Sequence, residues 1–350
     1  MRSQKPSRRG VRPLARRAAT KKGGDPAAVD TGILVNVAFY ASVSIIFAVL
    51  ALGFNLQWGY TGLFNAGIAG FFLLGAYTAA IVTTPLDPPT IVGGVVIVPG
   101  HLGGFSLPFA FGAIMAMVVS GLAAVLIAIP TLRLRADYLA IATLAFSEII
   151  RRITTNLDTV TGGTNGITKI PRLITFDPPN PFANAMVVLG AGAALVLAAF
   201  LVLSFIEESP WGRVLRAVRE DEVATMALGK NTLLFKIEAF GIGGALMGLA
   251  GALFTLTIPY LEPSNFAPAL TFSIWVIVIV GGAGNNRGAI LGAFLIYGME
   301  WASVILKDYV PTAFKNTIFY TRLMIIGVLL IVLIIYRPQG LLPEKRRVLK

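Results

Sequence analysis

Ile33-Leu-Val-Asn-Val-Ala-Phe-Tyr-Ala-Ser-Val-Ser-Ile-Ile-Phe-Ala-Val-Leu-Ala-Leu-Gly-Phe-Asn-Leu56 runs for 24 residues without a charge. The hydrocarbon layer of a bilayer is about 30 Å thick, so about 20 apolar residues in a helix cross it. Two further runs, Leu107–Ile129 and Met186–Ile206, are equally clean. Ile237–Ile258 carries only Glu238 at its edge, Phe319–Tyr336 only Arg322, and Ala289–Leu306 only Glu300. Leu270–Val280 is short. Gly62–Val82 is uncharged but Gly-rich, and Tyr138–Ile150 is 13 residues long and contains Glu148. The pattern predicts an all-α polytopic bundle of about eight to ten membrane segments, some of them broken or re-entrant.

The composition agrees. Of 350 residues, 56% are hydrophobic and 13% charged, and the mean hydropathy is +0.78. Soluble domains carry about 25% charged residues. The 37 glycines, many inside apolar runs, allow close helix approach. There is no Cys, which excludes disulfides, thiolate nucleophiles and cysteine-ligated metals.

Charge orients the chain. Residues 1–24 hold nine Lys or Arg and no acid, and five more follow Tyr336. Arg133 and Arg135, and then Arg213, Arg216, Arg219 and Lys230, follow apolar runs. The positive-inside rule makes all four regions cytoplasmic, both termini included. The basic, Pro- and Gly-containing segment 1–30 reads as a disordered tail near anionic lipid, and 344–350 as a second basic tail. The net charge of +12 needs no nucleic acid to explain it. Segments 83–106 and 260–268 lack Lys and Arg and are expected outside. If 33–56 crosses outward, 62–82 must then enter from outside and return without crossing, or an extra short crossing must lie within 90–106.

Trp211-Gly-Arg-Val-Leu-Arg-Ala-Val-Arg-Glu-Asp-Glu-Val-Ala-Thr-Met-Ala-Leu-Gly229 cannot lie in hydrocarbon. Its apolar positions recur at helical steps, which suits a helix that docks a soluble partner; a plain solvated connection is the other reading. Gly59-Tyr-Thr-Gly-Leu-Phe-Asn-Ala-Gly67 weakens continuous helix, and Thr61 and Asn65 offer hydrogen bonds. Broken helices line cavities or pack on protein, so Thr61, Gly62, Asn65 and Gly67 are translocation-path candidates, placed near the outer half of the bundle. Glu300 and Arg322, on the last two long runs, are either a structural pair or path residues. Thr161–Gly166 is a turn cluster without the Lys-Ser/Thr of a P-loop. Nothing assembles a catalytic triad, a metal site or a cofactor site.

The chain resembles the permease subunits of bacterial branched-chain amino acid ABC transporters of the LivM type. The resemblance rests on Gly59–Gly67 with Gly75-Ala-Tyr77, on Leu132-Arg-Leu-Arg-Ala-Asp-Tyr-Leu-Ala-Ile-Ala-Thr-Leu144, and on Thr161-Gly-Gly-Thr-Asn-Gly-Ile167. Gly212-Arg-Val through Arg219-Glu-Asp-Glu222 to Gly229, and Tyr336-Arg-Pro-Gln-Gly-Leu-Leu-Pro343, complete it. It implies a permease domain over 31–343 and a cytoplasmic coupling helix over 211–230, with Arg213, Arg219, Glu220, Asp221, Glu222, Ala224 and Gly229 at the motif positions. It implies partners too: a second permease of the LivH type, two cytosolic ATP-binding subunits, a periplasmic binding protein and membrane lipid. ATP hydrolysis then belongs to the partner chains, and this chain is a transporter subunit of the inner membrane, not an enzyme. Leucine, isoleucine and valine are the expected cargo. Urea, amides or other amino acids in a related importer, or a stand-alone secondary transporter, are the alternatives.

Overall fold

In the computed structural model, Pro26–Phe54 form one helix (α1), which continues as a π-helical turn over Asn55–Tyr60. The structure describes residues 26–344, without 87–89, 93–94, 99–103, 175, 177–179, 259, 310 and 312–314. Side chains are not described at 26–33, 90–92, 95–98, 136, 308–309 and 315–316. After a non-helical stretch, α2 spans Ile68–Thr83, and a short hairpin pairs β1 (Thr90–Val92) with β2 (Val95–Val98). Then come α3 (Phe109–Thr131), α4 (Ala136–Asn156) and the single turn α5 (Asp158–Thr161). A two-residue β3 (Ile167–Thr168) pairs antiparallel with β4 (Tyr260–Leu261). The remaining helices are α6 (Pro181–Glu208), α7 (Pro210–Glu220), α8 (Glu222–Ala227), α9 (Thr232–Thr257), α10 (Pro268–Gly281), α11 (Asn286–Tyr309) and α12 (Lys315–Tyr336).

Among the described residues six helices are long and apolar enough to cross a membrane: α1, α3, α6, α9, α11 and α12. α2 and α10 are shorter and apolar. α1 and α9 are central, whereas α6 and α12 show most of their surface to the outside. The centre closes through small residues. A Cβ on Gly248 of α9 would lie 2.5 Å from the Ala116 carbonyl and 2.6 Å from the Ser120 Cβ, both on α3. One on Gly53 would lie 2.7 Å from the Gly243 carbonyl. Backbones therefore touch where other residues would hold them apart, the usual device for packing helices without a hydrophobic drive between them.

Contacts along these helices give their directions. Asn55 meets Asn286 at the start of α11, and Phe47 and Tyr40 meet Tyr297 and Trp301 further along it, so α1 and α11 are antiparallel. Gln57 meets Phe240 near the start of α9. The Tyr60 end of α1 thus lies on the face that carries α7, the Gly281–Asn286 turn and Glu344 (the α7 face). Its Val35 and Phe39 instead share a cavity of about 220 Å³ with Ile170–Ile174 and Thr257–Ile258 on the opposite face. On the same reasoning α2, α4, α9 and α11 run away from the α7 face, and α1, α3, α6, α10 and α12 run toward it. Among the described residues nine segments traverse the bundle.

Several expectations need correction. Residues 26–30 belong to α1 and not to a disordered tail; residues 1–25 lie outside the described residues. The start of α1 emerges opposite Glu344, so the two ends of the fold do not share a face: an odd number of traverses separates them. Stretch 62–82 is not re-entrant. It enters from the α7 face, where Gly62 lies beside Arg219, and leaves on the other, where Thr83 lies beside Gly112. This removes the topological conflict without an extra crossing, because the start of α1 and α7 lie on opposite faces and not on one as expected. Tyr138–Ile150 is part of a full traverse, which places Arg151 and Arg152 toward the far side. Glu344 is held by ion pairs within the fold and is not part of a free tail.

Candidate functional site: the α7–α8 segment and the broken helix

The segment expected as one helix over 211–230 is two. Ser209 opens α7: its hydroxyl accepts from the Gly212 amide, and Pro210 sits where no donor is needed. Asp221, in extended conformation, ends α7 and caps α8 by accepting from the Ala224 amide at 2.9 Å. Gly229, at φ +77°, ends α8 in a left-handed turn that a residue with Cβ adopts only under strain. Asn231 then caps α9 by accepting from the Leu234 amide at 3.3 Å.

Two surfaces result. Outward lie Arg213, Glu220, Asp221, Ala224 and Gly229, with the apolar Val223 (72% exposed) and Leu228 (80% exposed) among them. Inward lie Leu215 and Val218, both buried, and two charged residues of the motif. Glu222 accepts from Lys236 at 2.5 Å and from the Thr232 hydroxyl at 3.1 Å, which ties α8 to α9. Arg219 donates to the Gly59 carbonyl and, at 2.7 Å, to Glu344. Arg216 pairs with Glu207 at 3.4 Å and with Glu344 at 3.5 Å, and lies over the Tyr60 ring. Glu222 and Arg219 therefore hold the segment in place, while Glu220, Ala224 and their neighbours present a surface.

The Gly59 carbonyl belongs to the break that follows α1. Residues 61–67 have no helical ladder, and every freed polar group here needs a partner. The Gly62 amide donates to the Trp58 carbonyl, and the Leu63 amide to that of Gln57, each at 2.9 Å. The Thr61 hydroxyl donates to the Gln57 carbonyl. The fully buried Gln57 side chain donates to the Phe240 carbonyl on α9 and accepts from the Asn65 amide group, each at 2.8 Å. Asn65 Oδ1 accepts from the Gly67 amide at 2.7 Å. The Ala66 amide reaches Thr143 on α4, and the Ala69 amide reaches Thr271 on α10. Trp275 of α10 donates to the Asn65 carbonyl. Asn55 bonds Asn286 at 3.0 Å and accepts from the Gly284 amide at 2.8 Å. The break is thus bound to α4, α9, α10 and α11 at once. Gly62, at φ +73°, makes its turn.

Thr61, Gly62, Asn65 and Gly67 stand together here, and Arg219 joins them: a Cβ on Gly62 would lie 3.3 Å from Arg219 Cγ. The break begins at the α7 face and runs inward. Expected in the half away from segment 211–230, the break lies beside that segment instead. Glu300 and Arg322 are elsewhere. They pair with each other at 3.0 Å between α11 and α12, in the half of the bundle away from α7. Sequence reasoning missed Asn55, Gln57, Asn286, Glu207 and Glu344. The signal was present for the first two: amides in an apolar run are costly unless bonded.

A bundle of long apolar helices, with a broken helix fastened by an arginine to an amphipathic segment outside it, defines a polytopic membrane protein. The chain belongs to the family described as the permease component of branched-chain amino acid transport systems, which it matches over residues 36–334. It is 32% identical to the high-affinity branched-chain amino acid transport permease LivM of Salmonella typhimurium, over 89% of this chain and 71% of that one. It is 28% identical to a probable LivM permease of Methanocaldococcus jannaschii, over 86% and 91%. A LivH permease of Escherichia coli is similar at 25% identity, over 86% and 93%. No solved structure matches the chain. It is a multi-pass membrane permease and not an enzyme.

Proposed function

We propose that this chain is one of two related permease subunits in an ABC importer that moves leucine, isoleucine and valine across the inner membrane. The observation that carries the mechanism is the Arg219 link between the α7–α8 segment and the broken helix. ATP-binding subunits dock on the exposed surface around Glu220, Ala224 and Leu228. ATP binding shifts α7, and Arg219 transmits the shift to Gly59 and the break. Elements with two packed arrangements can turn such a displacement into inward- and outward-open states. The α7 face is then cytosolic, with Arg133, Arg135, Arg213, Arg287 and Arg337 on that side, and Arg151, Arg152 and the start of α1 on the far one. The far face receives a substrate-loaded binding protein. The second permease, of the LivH type, supplies the other half of the path.

The test is ATP-driven uptake of labelled leucine by membrane vesicles holding the chain, its second permease, two ATP-binding subunits and the binding protein. Leu228→Asp places a charge at an exposed docking position and leaves the bundle untouched. Expected is loss of uptake together with loss of co-purifying ATP-binding subunits. Undiminished uptake in Leu228→Asp refutes docking on this surface, and absence of leucine uptake by the unsubstituted assembly refutes the cargo.

A further inference from the structure

α4 traverses the bundle, yet it is not among the helices apolar enough to cross a membrane on their own. Its inner face explains half of this. Thr143 and Ser147 are buried against the broken segment and the start of α2, with the Thr143 hydroxyl bonding the Ala66 amide and Ser147 packed on Gly70. The other face is open: Ile141 and Ile149 are 64% and 55% exposed, Ala145 lies between them, and Glu148 and Arg152 share the surface. Glu148 is twelve residues beyond Ala136, about 18 Å along a helix of about 30 Å. Its neighbour Ser147 packs at the level where Phe71 meets Ser120, the twelfth of 23 residues of α3. The carboxylate is thus near mid-depth.

Arg151 grips Glu148 at 2.7 and 2.9 Å, and Arg152 donates from Nε at 2.9 Å. The Arg152 side chain remains 74% exposed. An ion pair open to hydrocarbon at this depth is costly, and such groups face water or protein instead. The outward faces of α6 and α12 are different: Leu197, Leu201, Val328 and Ile331 are exposed and aliphatic, which suits lipid.

We infer that the open face of α4 borders the aqueous path and that Glu148 and Arg152 hold the zwitterionic head of the carried amino acid on its way through. The inference rests on the importer reading above. The Arg152 guanidinium takes the substrate carboxylate, Glu148 takes the ammonium group, and Ile141 and Ile149 give a branched aliphatic side chain an apolar wall. The broken helix lies directly behind this wall, so a shift passed through Arg219 moves the backbone that Thr143 and Ser147 pack against.

The chain has no Cys, so single cysteines report cleanly. Ala145→Cys and Ile149→Cys are compared with Leu201→Cys and Ile331→Cys in vesicles holding the whole transporter, using a membrane-impermeant, water-soluble thiol reagent. The α4 positions should react and the other two should not, and saturating leucine should slow the α4 reaction several-fold. Adding Arg152→Gln to Ile149→Cys should raise the leucine concentration that half-protects the introduced thiol about tenfold or more, the loss of a charge-assisted hydrogen bond, while Arg152→Lys recovers part of it. α4 cysteines as silent as the controls, in vesicles that still take up leucine, would mean that lipid or a dry partner surface covers this face and would overturn the inference. So would labelling that leucine leaves unchanged. Vesicles of the unsubstituted chain that take up no leucine would count against the importer reading instead, and the labelling contrast would still decide whether the α4 face is wet.

Discussion

Gly248→Ala offers a quantitative test of the packing. The new Cβ would stand 2.5 Å from the Ala116 carbonyl oxygen and from the Ser120 hydroxyl, and 2.6 Å from the Ser120 Cβ. An ordinary contact begins at 3.4 Å, so α3 and α9 must separate by 3.4 − 2.5, about 0.9 Å. The Ala116 carbonyl is backbone and cannot rotate away. Overpacking of this kind costs about 1–3 kcal/mol. At Gly190 and Gly298 a Cβ meets nothing within 4 Å, and alanine there gains about 1 kcal/mol of helix propensity at most. The contrast between the central and the peripheral substitutions is therefore about 2–4 kcal/mol. Thermal unfolding of the purified assembly in detergent should show Gly248→Ala well below wild type and Gly190→Ala and Gly298→Ala at or above it. Equal midpoints for all three would mean that α3 and α9 are not in backbone contact, and the bundle centre as described would be wrong.

Other perturbations follow from the same geometry. Gln57→Leu removes the bonds to Phe240 and Asn65 and strands a buried amide; a loss of about 2–3 kcal/mol in stability is expected, with uptake lost before insertion, as protease protection of the bundle would report. Glu344→Gln should loosen Arg216 and Arg219 and lower the ratio of leucine carried to ATP hydrolysed, while the ATP-binding subunits still co-purify. Glu220→Lys should weaken co-purification of those subunits without changing thermal stability, whereas Glu222→Lys, which sets two cations against each other at Lys236, should lower stability as well. If the two substitutions behave alike, the division of this segment into an outer and an inner surface fails. Gly62→Val should abolish uptake with the assembly retained, because the backbone there is at φ +73°.

Much of this fold was legible as text, since long uncharged runs admit few alternatives in a bilayer. The runs at Ile33, Leu107 and Met186 became α1, α3 and α6, and the three glycines in 59–67 did mark a break. Direction was harder. The basic segment before α1 argued for a start on the side of α7, but pairwise contacts of Asn55, Phe47 and Tyr40 with α11 place that start on the opposite face, and no local pattern encodes them. Tyr138–Ile150 was ambiguous because it is short and contains Glu148, and because its inner polar residues Thr143 and Ser147 face neighbouring helices rather than lipid; hydropathy cannot separate a helix that faces protein from one that stays outside. The roles of Glu222 and Arg219 were hidden for a similar reason. Both lie in a charged motif, and only Lys236, Gly59 and Glu344 turn them inward. Glu344 is 125 residues from its partner Arg219, a separation no spacing rule spans.

That separation also bears on how the molecule is made. Chains leave the ribosome from the N-terminal end, and segments fold as they emerge. When α7 first reaches water, Arg216 has Glu207 but Arg219 lacks its carboxylate, and both gain Glu344 only after α10, α11 and α12 have been inserted and the Leu341–Leu342 backbone has paired with Val280 and Gly281. The α7–α8 surface is thus set firm at the last step of biogenesis, so that a truncated or misinserted permease presents a loose one.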